Sequence, residues 1–593
     1  MVHTLLTARM QQTETQSWGT RDRVDEQPDT CIQKFHLAPD DMSHLLEFPQ
    51  IDLQSHQIRI LHILPGNRDD PLRCILRTAS LDDDNRYEAL SYAWGDPLDC
   101  LSIEVNGSQK SITVNLFNAL RRLRYAESER YLWVDALCID QNNDVEKSHQ
   151  VQLMSNIYSR TTTAILWLGD FSDRPNEKAN YIHYEAVRSA FTLIEFLVDS
   201  SGGFVENSEN KKLIDDGCEG LSCLLQLPWW HRAWTVQETV LPADAIVVCG
   251  TSQLPFSWLK KAYHNSTSHY YRNCCGSLTV PETFWNQMHA LIHVKGYMEE
   301  NDGLLCYAFN LFRNRHASDP RDKMYAYLGL GSGISADYSL PYEQVFKLAT
   351  RSIIEKYGTL MSLLRTAEEQ RSPTLPSWVP DWCAKIHNQD YNDELGWYCL
   401  YQHYNASGDR RPQISPSCSD NVLNLRGLIL ERILEVGNIM DCGDAMREMV
   451  AKWQGGPNDD YPQGGTYLEA SWRTLMVDMI LGQGCYKRFG KCDSGEAIVN
   501  NELEKYPSGN SLCALGRKGF FTERGMIGIG NPDIRDGDFI AILQGGNMPF
   551  ILRKAKIDKG DVFYQFIGQA YVHGIMDGQI LDEGLDMEWI SLV

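Results

Sequence analysis

The sequence predicts an α/β fold built on a parallel sheet, followed by a helical region and a β-rich C-terminal module. Three observations predict it. Between Tyr87 and Glu238, apolar runs of strand type alternate with amphipathic helical stretches, and the runs stop at acidic residues. From residue 251 the periodicity turns mostly helical. From Val422 onward short β-type runs separated by Gly-rich turns dominate, with a helical piece around TYLEASWRTLMVDMIL inserted.

The 593 residues exceed what one hydrophobic core organises, so two or more domains are expected. With 43% apolar and 22% charged residues, the composition is that of an ordinary folded protein. Its 55 basic against 78 acidic side chains give a net charge of −23. Such a surface repels phosphate backbones, which argues against a nucleic-acid partner. The 17 cysteines include no CxxC pair and no Cys/His ladder of zinc-site spacing; Cys274 and Cys275 are adjacent, and Cys218 and Cys223 are five apart. No metal site is expected. Scattered reduced thiols, no apolar signal segment and no apolar run long enough to span a bilayer together predict a cytoplasmic protein. Residues 1–45, rich in Gln, Thr, Asp and Arg as far as Pro28, are expected to be a mobile lead-in.

The elements follow in order. IRILHILPG (from Ile58) and LRCILRTASL (from Leu72) alternate as a hairpin-like pair. YEALSYAW (from Tyr87) is a strand ended by Gly95-Asp96-Pro97, because Pro cannot continue it. LSIEVNG and SITV form a hairpin closed by Asn106-Gly107. Asn115 is the expected N-cap of a helix whose Leu116, Leu120 and Leu123 share a face. YLWVDALCID is the next strand, and VEKSHQVQLMSNIYSR the next helix, with Val151, Met154, Ile157 and Tyr158 on one side. TTTAILWLGD is a strand ending at Gly169-Asp170. This strand–helix–strand order favours a doubly wound parallel sheet. An insertion at about 174–226 holds a helical pattern (VRSAFTLIEFLVDS) and an acidic stretch, ENSENKKLIDDGCEG, that reads as a loop. LPWWHRAWTVQETVLP then resumes as a helix and AIVVCG as a strand. The expected boundaries are 46–250 for this domain (core 87–239), 251–371 helical, 372–421 a Pro-containing connector, and 422–593 β-rich.

Ligands of open parallel sheets sit beyond the carboxyl ends of the strands, where Asp96, Asp135 and Asp170 fall. A carboxylate there can accept hydrogen bonds from ribose hydroxyls. Asp also terminates strands in any protein, and for each Asp alone that reading outweighs the functional one. Trp234 and Glu238 are four apart and share a helix face, so an indole beside a carboxyl can desolvate it and offer a stacking platform. A Trp covering a surface Glu, with Arg232 as its charge partner, explains the same spacing. GMIGIG (from Gly525) lacks the Lys-Ser/Thr of a phosphate loop, and no GxSxG, HExxH or kinase signature is present. His149, His231 and His573 are isolated.

Taken together, SYAWGDP, LWVDALCIDQNN, LMSNIYSRTTTAILWLGD and RAWTVQE closely resemble the signature of fungal heterokaryon-incompatibility (HET) domain proteins. DPRDKMYAYLGL, LPSWVPDW, GDFIAILQGGNMPFILR and YVHGIMDG resemble the tail of the same family. The resemblance implies a TIR-like, flavodoxin-like sheet and a role in non-self recognition and programmed cell death. It also implies partnership by self-association or with another incompatibility-locus protein. Some TIR domains cleave NAD with the Glu of a WxxxE helix, and Trp234-Thr-Val-Gln-Glu238 has that spacing. By that analogy Glu238 is the catalytic residue of an NAD glycohydrolase-type activity, Trp94, Asp96, Asp135 and Trp234 line the pocket, and Arg232 holds a phosphate. NAD then enters as substrate, with no bound cofactor. Two alternatives stay open: a non-catalytic signalling scaffold, and a diversified paralogue with no role in incompatibility.

Overall fold

The computed structural model describes residues 48–593 apart from 171–183, 201–207, 273–279, 301–304, 365–370, 385–396, 455–459, 491–512 and a few positions elsewhere. The expected lead-in, the Cys274–Cys275 pair and parts of the 174–226 insertion lie outside the described residues. The chain divides into two compact units, one ending at Tyr342 and the other running from Glu343 to Val593.

The first unit carries a sheet of nine described strands: β1 (Gln57–Ile63), β2 (Arg73–Ser80), β3 (Glu88–Tyr92), β4 (Cys100–Val105), β5 (Ser108–Thr113), β6 (Arg130–Trp133), β7 (Ala164–Gly169), β8 (Ala245–Cys249) and β9 (Ser252–Pro255), in the order β5-β4-β2-β1-β6-β3-β7-β8-β9. The expected parallel pairing holds through the centre of the sheet and recurs near one edge between β2 and β4. β6, β3, β7 and β8 are mutually parallel, whereas the β1–β2, β4–β5 and β8–β9 pairs are antiparallel, so the sheet as a whole is mixed. The reason is local: both early hairpins extend the central sheet, β1 pairing antiparallel with β6 at Leu61 and Leu132. Counted along the chain, the four parallel strands stand in the order second, first, third, fourth. The winding therefore reverses between β3 and β7, which opens a crevice at their carboxyl ends. β7 reads as an unbroken apolar run, and β3 as one interrupted by Ser91, because both faces are covered; Ala89, Leu90, Tyr92, Ile165, Leu166 and Trp167 are buried.

Helix α1 (Val114–Leu123) follows β5, but Asn115 does not cap it. The cap position is Thr113, whose side chain makes no capping bond. Asn115 instead donates from Nδ2 to the Ala93 carbonyl (2.6 Å) and accepts from Trp167 Nε1 (2.9 Å), tying the ends of β3 and β7 together. Helix α2 (Asp144–Arg160) does have a side-chain cap: Asn143 accepts from the amides of Val145 and Glu146. Its first turn is anchored by a buried ion pair, Arg59 to Glu146, with contacts of 2.5 and 2.9 Å. Although burial opposes ionisation, the Arg59 guanidinium and the Asp140 amide hold the Glu146 carboxyl below its ordinary range.

Two helices, α3 (Tyr184–Asp199) and α4 (Ser208–Leu225), occupy the described part of the insertion. The acidic stretch expected as a loop is thus mostly helix. Its charges face solvent, while Ile214, Gly217, Leu221 and Leu224 recur at helical spacing and are buried. The glycines permit the contact: a Cβ on Gly217 would lie 2.5 Å from Leu193 Cβ, and one on Gly220 2.1 Å from the Ala186 carbonyl oxygen.

In the second unit, β11 (Leu423–Ile439), β14 (Lys518–Thr522), β15 (Ile527–Gly530), β16 (Phe539–Leu543), β17 (Phe550–Asp558) and β18 (Asp561–Val572) pair in a ring that closes between β11 and β16. The long β11 makes this possible by pairing with β16 through its middle and β14 through its end, with register shifts between. β10 (Ile414–Ser415) and β19 (Glu588–Leu592) pair beside it, and the hairpin β12 (Met479–Gly482) with β13 (Cys485–Arg488) stands apart. GMIGIG supplies β15: side chains on Gly528 and Gly530 would meet Phe520 and Ile551, so these glycines make room for the barrel filling.

Candidate active site

Helix α5 (Thr235–Val240) carries Glu238 against the carboxyl end of β3. Ser91, the penultimate residue of β3, donates from Oγ to Glu238 Oε2 at 2.5 Å. Trp229 Nε1 donates in turn to Ser91 Oγ at 2.8 Å. The hydroxyl is thus committed on both sides, accepting from the indole and donating to the carboxyl. Glu238 is only 4% exposed. Burial pushes its pKa up to about 7, against the opposing pull of the Arg232 charge and the Ser91 hydrogen bond; the Asp135 carboxylate adds to the rise.

Around this carboxyl stand Tyr92, Asp135, Tyr158 and Arg232. Tyr158, from the last turns of α2, also hydrogen-bonds from its hydroxyl to the Leu90 carbonyl (3.2 Å). Burial raises the Tyr92 and Tyr158 hydroxyls well above their ordinary range, and the Asp135 and Glu238 carboxylates push the same way. Both phenols therefore stay neutral donors. Arg232 Nη1 donates to the Tyr92 carbonyl. Trp94, 41% exposed, donates from Nε1 to Asp135 Oδ2 at 2.8 Å and forms the outer rim. A buried acid, a guanidinium, two phenols and an exposed indole at a winding reversal form a set that can grip a polar, planar-ended ligand and move or withhold one proton.

Of the residues expected from sequence, Trp94, Asp135, Arg232 and Glu238 come together. Asp96 does not join them: it lies exposed in the turn after β3, where its Oδ1 accepts from the Leu98 amide (2.8 Å). Trp234 is four residues from Glu238, yet its indole donates to Asp322 Oδ2 (3.0 Å). The indole coupled to Glu238 is that of Trp229, reached through Ser91. Asp170, also at a strand end, lies 4.0 Å from both Arg68 and Arg121. Sequence reading missed Ser91, Tyr92 and Trp229. A signal existed for Ser91, a lone hydroxyl inside an apolar parallel strand. Among the described residues no cluster of three or more His, Cys, Asp or Glu suits a metal ion, and no helix is long and apolar enough to cross a membrane.

The family model for the heterokaryon incompatibility protein (HET) matches residues 87–238, the stretch that runs from the start of β3 to the site carboxyl. Residues 87–238 are a HET domain. A second model, the Het-6 beta-barrel domain, matches residues 500–589, which include β14 to β18 of the closed ring. Across most of its length the HET-domain chain is similar to heterokaryon incompatibility protein 6, OR allele, of Neurospora crassa. The two are 26% identical over 655 aligned residues, covering 89% of this chain and 95% of that protein. No solved structure matches.

Proposed function

We propose that this chain acts in heterokaryon incompatibility, as a non-self recognition and cell-death effector, and that its HET domain does so by hydrolysing NAD at Glu238. The observation that carries this reading is the buried, proton-tunable carboxyl at the carboxyl end of β3, where the parallel strands reverse their winding. Support comes also from the similarity to the Neurospora protein and from the WxxxE spacing, which the resemblance to TIR domains associates with NAD cleavage. In this reading the ribose of NAD lies over Glu238 and Ser91, Arg232 meets a phosphate, and Trp94 stacks at the rim. The C–N bond to nicotinamide breaks with its electron pair leaving on the nicotinamide ring. The ionised carboxylate stabilises the cationic ribosyl centre until water adds, giving ADP-ribose, nicotinamide and a proton.

The test uses the full chain incubated with NAD, followed by chromatography of NAD, nicotinamide and ADP-ribose. Turnover that Glu238→Gln abolishes is expected, and intact NAD at high protein concentration sinks the enzymatic reading. One observation favours the second reading, self-association without catalysis: at 4% exposure Glu238 is sealed, so turnover requires the site to open. Growth arrest in a fungal host that Glu238→Ala leaves unchanged favours that alternative.

A further inference from the structure

The helix bearing Glu238 is held by a segment that lies beyond the HET-matched residues, running from Arg313 to Tyr338. Three contacts converge on residues 231–235. The His316 backbone pairs with this stretch, its amide donating to the His231 carbonyl (2.5 Å) and its carbonyl accepting from the Ala233 amide (2.9 Å). The Arg315 guanidinium donates to Thr235 Oγ1 (2.8 Å) and to the Arg232 carbonyl (3.3 Å). Asp322 accepts from Trp234 Nε1 at 3.0 Å and, on its other oxygen, from the Tyr338 hydroxyl at 2.5 Å. At the far side of α5 the backbone of Gly329 closes in. A Cβ there would lie 2.8 Å from Gln237 Oε1, 2.7 Å from Leu241 Cδ1 and 3.0 Å from Ser155 Cβ. Residues both before and after Glu238 are thus fixed by one strap.

We infer that the 313–338 strap completes the site of the HET domain, and that Asp322, through Trp234, is a positioning residue for Glu238 and Arg232. This rests on the proposed reaction only for its kinetic consequence. The geometry explains why Trp234 turns from Glu238: its indole is a tether, and the DPRDKMYAYLGL block is the anchor. A six-residue helix has too few internal hydrogen bonds to hold itself, so an external clamp sets where its carboxyl points.

The experiment is amide hydrogen exchange by mass spectrometry on the full chain, comparing Asp322→Ala, Trp234→Phe, both together, and Asp322→Asn. Peptides spanning 229–241 are expected to exchange about tenfold faster in each of the first two, since a charge-assisted bond is lost. The double variant should go no further than Asp322→Ala, because that change already removes the Trp234 contact. Peptides of β3 and β7 should stay unchanged, and Asn, which keeps the acceptor, should restore protection. In the NAD assay kcat is expected to fall about tenfold and, because Arg232 is displaced with Glu238, KM to rise, both restored by Asn. Unchanged exchange in 229–241 in both single variants, acceleration spread evenly over 48–342, or an Asn variant that behaves like Ala overturns the inference. Absence of NAD turnover in the unaltered chain defeats the proposed function alone, and the exchange result then stands as the measure of the strap.

Discussion

Glu238 gathers two consequences from one environment. Its folded-state pKa of about 7 means that the carboxylate required to stabilise a ribosyl cation forms only as pH rises through that value. NAD turnover by the full chain is therefore expected to climb between pH 6 and 8 and level off above, a profile that stopped-time chromatography reads directly. Stability runs the other way. Between the ordinary carboxyl value of 4.5 and about 7 the folded chain keeps a proton that the unfolded chain has released, so folding weakens as pH rises across that window. Replacing Glu238 by Gln removes this dependence. The Gln variant is expected to gain roughly 2 kcal/mol on the unaltered chain between pH 5 and pH 8, measured from denaturant midpoints. Glu238 could be singled out in the sequence by its spacing from Trp234. That Ser91 is its partner could not be read there, because 147 positions separate the two and only the packing of α5 on β3 joins them.

At the scale of elements, part of the HET signature proves to be architecture. Glu146 lies between the second and third blocks, and its carboxylate answers Arg59 of β1 in the interior. Arg59→Met alone leaves that carboxylate buried without its partner and is expected to cost about 3–5 kcal/mol, whereas Arg59→Met with Glu146→Leu recovers most of the loss. Thermal or denaturant unfolding of the three variants checks both halves. The pairing of α3 with α4 is equally specific. Gly220→Ala places a methyl against the Ala186 carbonyl and is expected to destabilise by about 1–3 kcal/mol, seen as lost exchange protection in 184–225. The sequence suggested a loop in the first half of α4 because acidic residues and glycines normally punctuate chains. Both signals came from surface and from packing: the acids line the solvent face, and the glycines admit a neighbouring backbone.

For the molecule as a whole, each unit has its own buried ionic anchor. In the second unit Val477 and Asp478 sit at φ of 48° and 57°, a left-handed turn that β-branched Val rarely adopts. The turn is held by the Tyr404 hydroxyl on the Val477 carbonyl (2.6 Å) and by Arg473 and Arg488, which both donate to the Asp478 carboxylate; Arg488 also forks onto Asp577. Asp478→Ala takes the carboxylate they share from both guanidiniums beside a strained turn, leaving Arg488 on Asp577 and Arg473 on Glu469. A loss of about 3 kcal/mol is expected, read as faster hydrogen exchange in 460–490 and in the strand containing Tyr571. Barrel closure belongs to this scale too. The alternating runs after Val422 announced strands, but no local pattern states that the middle of β11 pairs with β16 and its end with β14.

What the sequence determined by itself is the order of the strands around the site, the β-rich character of the C-terminal part, and the family that the blocks between Tyr87 and Glu238 spell out. These are local properties, set by apolar period, by turn residues and by strings of neighbours. Tertiary structure alone decided that the parallel strands are flanked by antiparallel hairpins, that Ser91 and Trp229 serve Glu238, and that Trp234 is anchored on Asp322 while Asp96 stays in its turn. The partners of Glu238 and of Trp234 depend on atoms far apart in sequence meeting at 2.5 to 3.0 Å. A carboxyl's pKa and a side chain's direction follow from what surrounds them, and the surroundings exist only once the chain has closed.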